Sequence, residues 1–318
     1  MLRQGPRPDL LQLAMDASAS AETVFRQNSR SFSLAARFFA VGDRLAVARM
    51  YRFCRYLDDL ADDTHAGDQQ ALDLAHARLT GKMEAPASSI EADLLALARE
   101  RAIPLAPALE LIAALREDCG DRSIQTPDEL VRFAYGVAGT VGRMLRHVID
   151  ARDARADAFA IDLGIGLQLS NVVRDIAEDA RRGRFYLPAD WIGSEVILRA
   201  LTGDAASVRR VDQAVRQTLD LSEQYYESAR KGLAYIPHRN RRVIFIAASL
   251  YQQIGRKVLK HGPGGWRQRA VVGPVEKLVV IIRSLREYRR WQHAEWSPHP
   301  EPRHDAALQV ALDNLNRP

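Results

Sequence analysis

Residues 51–63 of the chain read Tyr-Arg-Phe-Cys-Arg-Tyr-Leu-Asp-Asp-Leu-Ala-Asp-Asp. The end of this stretch places four carboxylates within six residues, and carboxylates so close together on a helix repel one another. At about 100° per residue, Asp58 and Asp62 share one helical stripe with Arg55, whereas the other two aspartates lie further round. The pattern predicts that Asp58 and Asp62 face a cation that offsets their repulsion.

A second acidic segment follows more than a hundred residues later, where residues 168–179 read Gln-Leu-Ser-Asn-Val-Val-Arg-Asp-Ile-Ala-Glu-Asp. Helical geometry places one polar stripe on this otherwise apolar helix, and it contains Gly164, Gln168, Asn171, Asp175, Asp179 and Arg182. An amide and carboxylates at this spacing offer oxygen ligands to a hard cation, and Mg²⁺ typically takes one or two carboxylates plus water and substrate phosphate. Two facing helices of this kind would hold several Mg²⁺ ions, with Mn²⁺ as an alternative, and bridge them to a diphosphate.

A single pair of acidic residues one turn apart is usually only a solvated helix face. Here there are two such pairs, each embedded among apolar residues and each sharing its stripe with other polar side chains. The sequence therefore favours a metal site formed by Asp58, Asp62, Asp175 and Asp179, with Asn171 beside the second pair.

Helical periodicity runs through almost the whole chain, and no alternating strand pattern is visible. The predicted helices cover residues 20–38, 43–65, 68–83, 90–101, 105–118, 127–150, 155–182, 205–235, 239–260 and 270–290. The pattern predicts an all-α protein with one helical domain. We expect an N-terminal extension at 1–19, the helical domain at 20–290, and a loosely attached polar C-terminal tail at 291–318.

Composition limits the protein class. The chain has 318 residues, 47% of them hydrophobic and 27% charged, and no apolar run is long enough to cross a membrane. Two cysteines outside any metal-type spacing, together with a poor signal-peptide pattern at the N-terminus, favour a reduced, cytoplasmic setting. The net charge of +5 also allows a basic nucleic-acid-binding or assembly protein, but that alternative leaves the acidic stripes unexplained.

These segments resemble those of the squalene/phytoene synthase family. The resemblance is carried, in the family's order, by residues 29–33, 51–63, 135–142, 168–188 and, more weakly, 225–237. It implies a helical isoprenoid synthase bundle around a central apolar cavity and a Mg²⁺-dependent prenyltransferase. Members of this family join two prenyl diphosphates head to head through a cyclopropyl diphosphate. That intermediate is then quenched by proton loss in phytoene synthases or by NADPH hydride in squalene synthases.

The resemblance also implies roles for further residues. Arg55 and Arg174 would neutralise charge on the departing diphosphate, and Tyr135 is a candidate for guiding proton removal. The expected diphosphate contacts are Ser31, Arg55, Arg174, Gln168, Asn171, Tyr251 and Arg269. The aspartates and Arg55 would form the catalytic centre, and no nucleic acid is expected as a partner.

Product length depends on how far an apolar cavity extends beneath the aspartates. Small residues at Ala36, Ala48, Ala138 and Gly139 are expected to line it, which favours a C20 substrate and phytoene, the C40 product of carotenoid biosynthesis. Tight helix packing also selects Ala and Gly, so squalene, dehydrosqualene or presqualene diphosphate synthesis from farnesyl diphosphate remains the alternative. NADPH is expected only for the squalene alternative. Because a hydrocarbon product must leave for a membrane, we also expect peripheral membrane association.

Overall fold

The computed structural model of the protein describes residues 32–62, 66–119, 122–295, 302–313 and 315. The α-helices, in chain order, are α1 (Phe32–Ala36), α2 (Val41–Asp62), α3 (Ala66–Leu79), α4 (Ile90–Arg101), α5 (Ala106–Glu117), α6 (Pro127–Ala134), α7 (Thr140–Val148), α8 (Ala156–Arg181), α9 (Ser194–Leu201), α10 (Ala205–Lys231), α11 (His238–Lys260) and α12 (Pro274–Glu295). The described residues contain no β-strand, only one isolated bridge between Ser123 and Phe185. The predicted all-α class is therefore confirmed.

Most predicted helices match these boundaries closely. The predicted helix at 20–38 lies partly outside the described residues, where only α1 at Phe32–Ala36 is seen, and the predicted helix at 270–290 begins at Pro274 and continues to Glu295. Two further details differ. The short helix α9 was not predicted, and the predicted helix at 127–150 contains a π-helical turn at Tyr135–Gly139 between α6 and α7. At the end of this turn the hydroxyl of Thr140 donates to the carbonyl of Gly136 over 2.7 Å. A π-helical turn within a helix often marks a functional region, and this one packs against α8.

Helix α8 is the centre of the bundle, and α7, α10, α11 and the π-helical turn all pack against it. Glycines allow the backbones of these helices to approach one another closely. A Cβ atom on Gly164 would lie 2.2 Å from the carbonyl oxygen of Ala138, and one on Gly142 would lie 2.1 Å from that of Ala160. The backbone of α8 is thus in direct contact with the backbones of α7 and of the π-helical turn. This contact fixes the position of the polar stripe of α8 relative to the π-helical turn.

Helix α2 is held beside this centre by ion pairs to α4. Arg49 and Arg52 both contact the carboxylate of Asp93 over 2.8 Å. At the other end of α2, the buried carboxylate of Asp43 accepts from Arg101 at 2.9 Å and from Asn240 at 3.1 Å. These contacts set the position from which α2 presents its own aspartates.

The C-terminal residues 302–313 pack on α8 and α10. His304 lies 2.8 Å from the buried carboxylate of Asp162, and the hydroxyl of Tyr225 donates to the carbonyl of Leu308 over 2.6 Å. The polar composition of this segment did not predict these contacts.

The division of the chain at 19 and 290 stays a prediction. None of the helices described is long and apolar enough to span a bilayer.

Replacing Gly164 by alanine should destabilise the protein by about 1–3 kcal/mol, because the added methyl group must push the π-helical turn away from α8. Gly166 is the matched control on the same helix, since a Cβ there would meet its nearest neighbours at 3.4 Å, an ordinary contact distance. Gly166→Ala should be neutral or stabilising through helix propensity. Urea denaturation measures both, and equal stabilities of the two variants would contradict the close approach.

Candidate active site

Both predicted acidic helices face one cleft of about 460 Å³. Helix α2 contributes Arg55, Asp58 and Ala61. Helix α8 contributes a larger set of mostly polar residues, from Gln168 to Asp179. The full lining is Arg55, Asp58, Ala61, Leu115, Asp118, Phe133, Val137, Gln168, Asn171, Val172, Arg174, Asp175, Glu178, Asp179, Arg182, Arg184, Tyr186 and Arg269. The cleft is thus rich in both carboxylates and arginines.

On α2, the helical stripe separates neighbouring aspartates as expected. Asp58 lines the cleft, whereas the side chain of Asp59 is 59% exposed and forms an ion pair with Arg55. The backbone of Asp62 lies in the last turn of α2, but its side chain falls outside the described part of the structure. Its metal role stays a prediction.

On α8, Asp175 lies between two arginines. The Nε atom of Arg174 donates to Asp175 over 2.9 Å, and the Nε atom of Arg269 lies 3.1 Å from the same carboxylate. Arg269 also pairs with Glu178 over 3.1 Å. Arg269 comes from the segment before α12, is half exposed, and reaches across the mouth of the cleft. Two predicted diphosphate ligands therefore neutralise the carboxylates of α8.

Asp179 experiences the crowding of negative charge most strongly. Burial, together with the carboxylates of Asp175 and Glu178, raises the pKa of Asp179 to about 7. A carboxyl group in this position gains from a bound cation, because the cation removes the cost of holding several negative charges in one partly buried place.

The amide of Asn171 has an unsatisfied oxygen that fits a metal ligand. Its nitrogen donates to Gln168 over 3.3 Å, while its buried oxygen, Oδ1, has no hydrogen-bond partner among the described residues. A buried polar atom without a partner is costly unless something binds it. Among the described side chains, no three acidic, histidine or cysteine groups lie close enough to form a ready-made metal site. The donor set, one amide oxygen with Asp58, Asp175 and Asp179, fits Mg²⁺ bound jointly with substrate phosphate.

Several cleft residues were not singled out from the sequence. Tyr186 donates from its hydroxyl to Asp118 over 2.8 Å, and its ring stacks on Phe133 with centroids 4.6 Å apart. Arg184 and Tyr186 lie in residues 168–188, which resemble the squalene/phytoene synthase family. This resemblance was the only feature of the sequence that pointed to them. Asp118, at the end of α5, had no sequence signal because its contact with Tyr186 joins residues 68 positions apart in the chain.

The structure does not bring every predicted residue to the cleft. The hydroxyl of Tyr135 contacts Glu110 and accepts from Arg143 at 2.9 Å, and the residue lines a different cleft on the far side of the π-helical turn. Tyr251 lies next to the cleft residues, near enough to Arg174 and Tyr51 to affect their ionisation. Ser31 lies outside the described residues.

The residues predicted to line a cavity are instead packed against other helices. Ala36 and Ala48 are fully buried in the core, while Ala138 and Gly139 form the close contact with α8. A separate apolar cavity of about 40 Å³ lies further along α7 and α8, lined by residues that include Leu145, Ala160, Leu163 and Ile244. None of the four predicted residues lines this cavity or the acidic cleft.

An all-helical bundle with two acidic helices facing one cleft defines the class of helical isoprenoid synthases, and comparison with known proteins agrees. A crystal structure of a dehydrosqualene synthase superimposes with a TM-score of 0.77 at 24% identity, covering 89% of this chain and 100% of that one. A 15-cis-phytoene synthase from Enterobacter agglomerans is 34% identical over 268 residues, which cover 80% of this chain and 90% of that protein. One from Paracoccus sp. is 33% identical over 276 residues, covering 84% and 90%.

The sequence profile of the squalene/phytoene synthase family matches residues 25–276. The chain belongs to the squalene/phytoene synthase family. The predicted family and fold are confirmed, and the protein is therefore a prenyltransferase of a family in which divalent-metal dependence is general.

The raised pKa of Asp179 predicts a pH-dependent stability of the metal-free protein. The folded-state pKa of about 7 lies above the ordinary aspartate value of 3.8, so the folded state binds this proton more tightly than the unfolded state does, and stability falls as pH rises between these two values. Asp179→Asn should therefore stabilise the metal-free protein by about 2 kcal/mol near pH 8 and by much less near pH 5.

Urea denaturation in the presence of a chelator measures this difference. The exposed Asp59 provides the control, since Asp59→Asn should give no comparable pH-dependent change. The same effect of Asp179→Asn at both pH values would contradict the raised pKa.

Proposed function

We propose that the protein joins two geranylgeranyl diphosphates head to head to give phytoene, with Mg²⁺ as the metal ion. The observation that carries this proposal is the meeting of Asp58 with Asn171, Asp175 and Asp179 in one cleft that also contains arginines. The phytoene synthases that are about a third identical to this chain support the same activity.

Mg²⁺, when bound, supplies charge that draws the diphosphate away from the allylic carbon. The protein residues would prepare that step. Arg174 and Arg269 now neutralise the carboxylates of α8, and both can turn their donors toward a diphosphate once metal ions take over those carboxylates. Arg269 is the freer of the two, because its side chain is 54% exposed while that of Arg174 is 20% exposed.

In the first half-reaction, the C1–O bond of the donor breaks and its diphosphate leaves. C1 then bonds to the double bond of the acceptor, and loss of a proton closes a cyclopropyl ring that keeps the diphosphate of the acceptor. In the second half-reaction, this intermediate loses its diphosphate, rearranges and loses another proton. Water must be kept from the cations throughout. The stacked rings of Phe133 and Tyr186, together with Val137 and Val172, form an apolar wall beside the charged groups of the cleft.

The prenyl tails need an apolar path away from the carboxylates. Val137 lines the acidic cleft and Leu145 lines the apolar cavity, and eight residues of continuous helix, about 12 Å, separate them. On α8, Asn171 at the cleft and Ala160 at the cavity lie within about 20° of one another around the helix axis. The half-buried Val141 lies between these ends on α7, and the half-buried Leu163 lines the cavity itself. A tail following this path would end in the apolar cavity.

The alternative is a C30 product from farnesyl diphosphate. The likeness to the dehydrosqualene synthase, at 24% identity, concerns the fold, while the sequence relatives at 33–34% identity are phytoene synthases. NADPH would be needed only for the squalene alternative. We also propose that the protein is cytoplasmic and that it contacts the membrane peripherally.

Incubation of the protein with Mg²⁺ and geranylgeranyl diphosphate, without NADPH, should yield a C40 hydrocarbon identified by mass spectrometry. Asp175→Asn should lower the rate at least about a hundredfold, because a carboxylate that faces the diphosphate is lost. The exposed Asp59→Asn should stay within a few-fold of the wild type. A C30 product that requires NADPH would contradict the proposed substrate.

Leu163→Trp tests the tail path. The larger ring should fill the apolar cavity at the end of the path, so turnover of geranylgeranyl diphosphate should fall at least about tenfold while the shorter farnesyl diphosphate is still used. The ratio of kcat/KM values for the two substrates is the measurement, and farnesyl diphosphate turnover is the internal control for folding. An unchanged ratio would contradict this path.

A further inference from the structure

The outer face of α12 carries a continuous row of exposed apolar side chains. Val275 is 77% exposed, Leu278 57%, Val279 59% and Ile282 42%. Their spacing of three and four residues places them on one side of the helix. Isolated exposed apolar residues are ordinary, but a contiguous row on one helix face marks an interaction site.

This row is not the side of α12 that belongs to the core. The opposite side packs against α11 and buries Val280, Ile281, Ser284 and Tyr288. Helix α12 thus has two apolar faces, of which only one is covered within the described part of the chain. The uncovered face therefore needs a separate explanation from the fold.

Arginines continue the same face toward the end of the helix. Arg286, Arg289 and Arg290 are exposed and follow Ile282 at helical spacing. Between residues 283 and 290 there are four arginines and one acidic residue, Glu287, which pairs with Arg283 over 2.8 Å. We call Val275, Leu278, Val279 and Ile282 with these three arginines the outer face of α12. It combines an apolar half with a basic half.

The outer face of α12 begins beside the mouth of the acidic cleft. Arg269 reaches across that mouth to Asp175 and Glu178, and Val271, two residues further along the chain, is 61% exposed. Two residues of extended chain span about 7 Å at most. Val271 thus lies close to Arg269, on the segment of chain that connects the cleft mouth to Val275 at the start of α12.

We propose that the outer face of α12 is the surface by which the protein docks on an anionic lipid bilayer. Apolar side chains would enter the boundary between headgroups and acyl chains, and the arginines would pair with anionic headgroups. A second copy of the chain fits less well, because the outer face of α12 has no acidic residue that could pair with the arginines of another copy. The proposal deepens the proposed function, because a hydrocarbon leaving the cleft would meet the bilayer at its mouth.

Vesicle co-sedimentation of the full-length protein tests the proposal without substrate, so its result does not depend on the reaction catalysed. The vesicles are phosphatidylcholine alone or phosphatidylcholine with phosphatidylglycerol. The apolar variant is Leu278→Gln with Val279→Gln and Ile282→Gln, and the basic variant is Arg286→Gln with Arg289→Gln and Arg290→Gln. The control is Leu198→Gln with Val310→Gln, two exposed apolar residues on other parts of the surface.

We expect the wild type and the control to bind the phosphatidylglycerol vesicles. Each of the other two variants should bind at least about tenfold more weakly, with the basic variant retaining only binding that is insensitive to salt. Circular dichroism confirms that the variants are folded. The proposal would be overturned if the wild-type protein bound neither kind of vesicle, or if the apolar variant bound as strongly as the wild type. A dimer that the apolar variant dissociates, without any vesicle binding, would assign the face to self-association instead.

Discussion

Carboxylates of two different helices share one narrow cleft, and their mutual repulsion is the constraint on which the rest of the structure depends. Asp175, Glu178 and Asp179 lie within little more than one turn of α8, and Asp58 faces the same space from α2. Like charges at this spacing destabilise a helix, and burial adds a further cost to the charged form of Asp179, which raises the pKa of this carboxyl group. Only a framework held together elsewhere can tolerate such an arrangement.

That framework consists of contacts well away from the cleft. The backbone of α8 touches the π-helical turn at Gly164, and Arg49 and Arg52 tie α2 to α4 through Asp93. Rigid helices positioned in this way hold the acidic side chains at a fixed separation, which metal-assisted catalysis requires. The arginines at the cleft reduce this repulsion, because Arg174 and Arg269 both contact the carboxylate of Asp175.

Periodicity predicted much of this organisation, because the helix wheel depends only on local geometry. It separated Asp58, which lines the cleft, from the exposed Asp59 one residue away. Periodicity could not predict which other helices each side chain would contact. Tyr135 lies in a matching segment yet turns toward Glu110, and the small residue Ala138 serves backbone contact with α8 instead of lining a cavity. Both outcomes depend on how helices pack, which a single sequence does not encode locally.

We propose that the two acidic helices act together as one metal-dependent diphosphate site. Electron paramagnetic resonance of Mn²⁺, titrated with and without inorganic pyrophosphate, measures this joint action. We expect pyrophosphate to increase Mn²⁺ binding strongly in the wild type, and we expect either Asp58→Asn or Asp175→Asn to remove this increase. Mn²⁺ binding that does not respond to pyrophosphate, or that is unchanged by loss of Asp58, would show that the helices do not form one site.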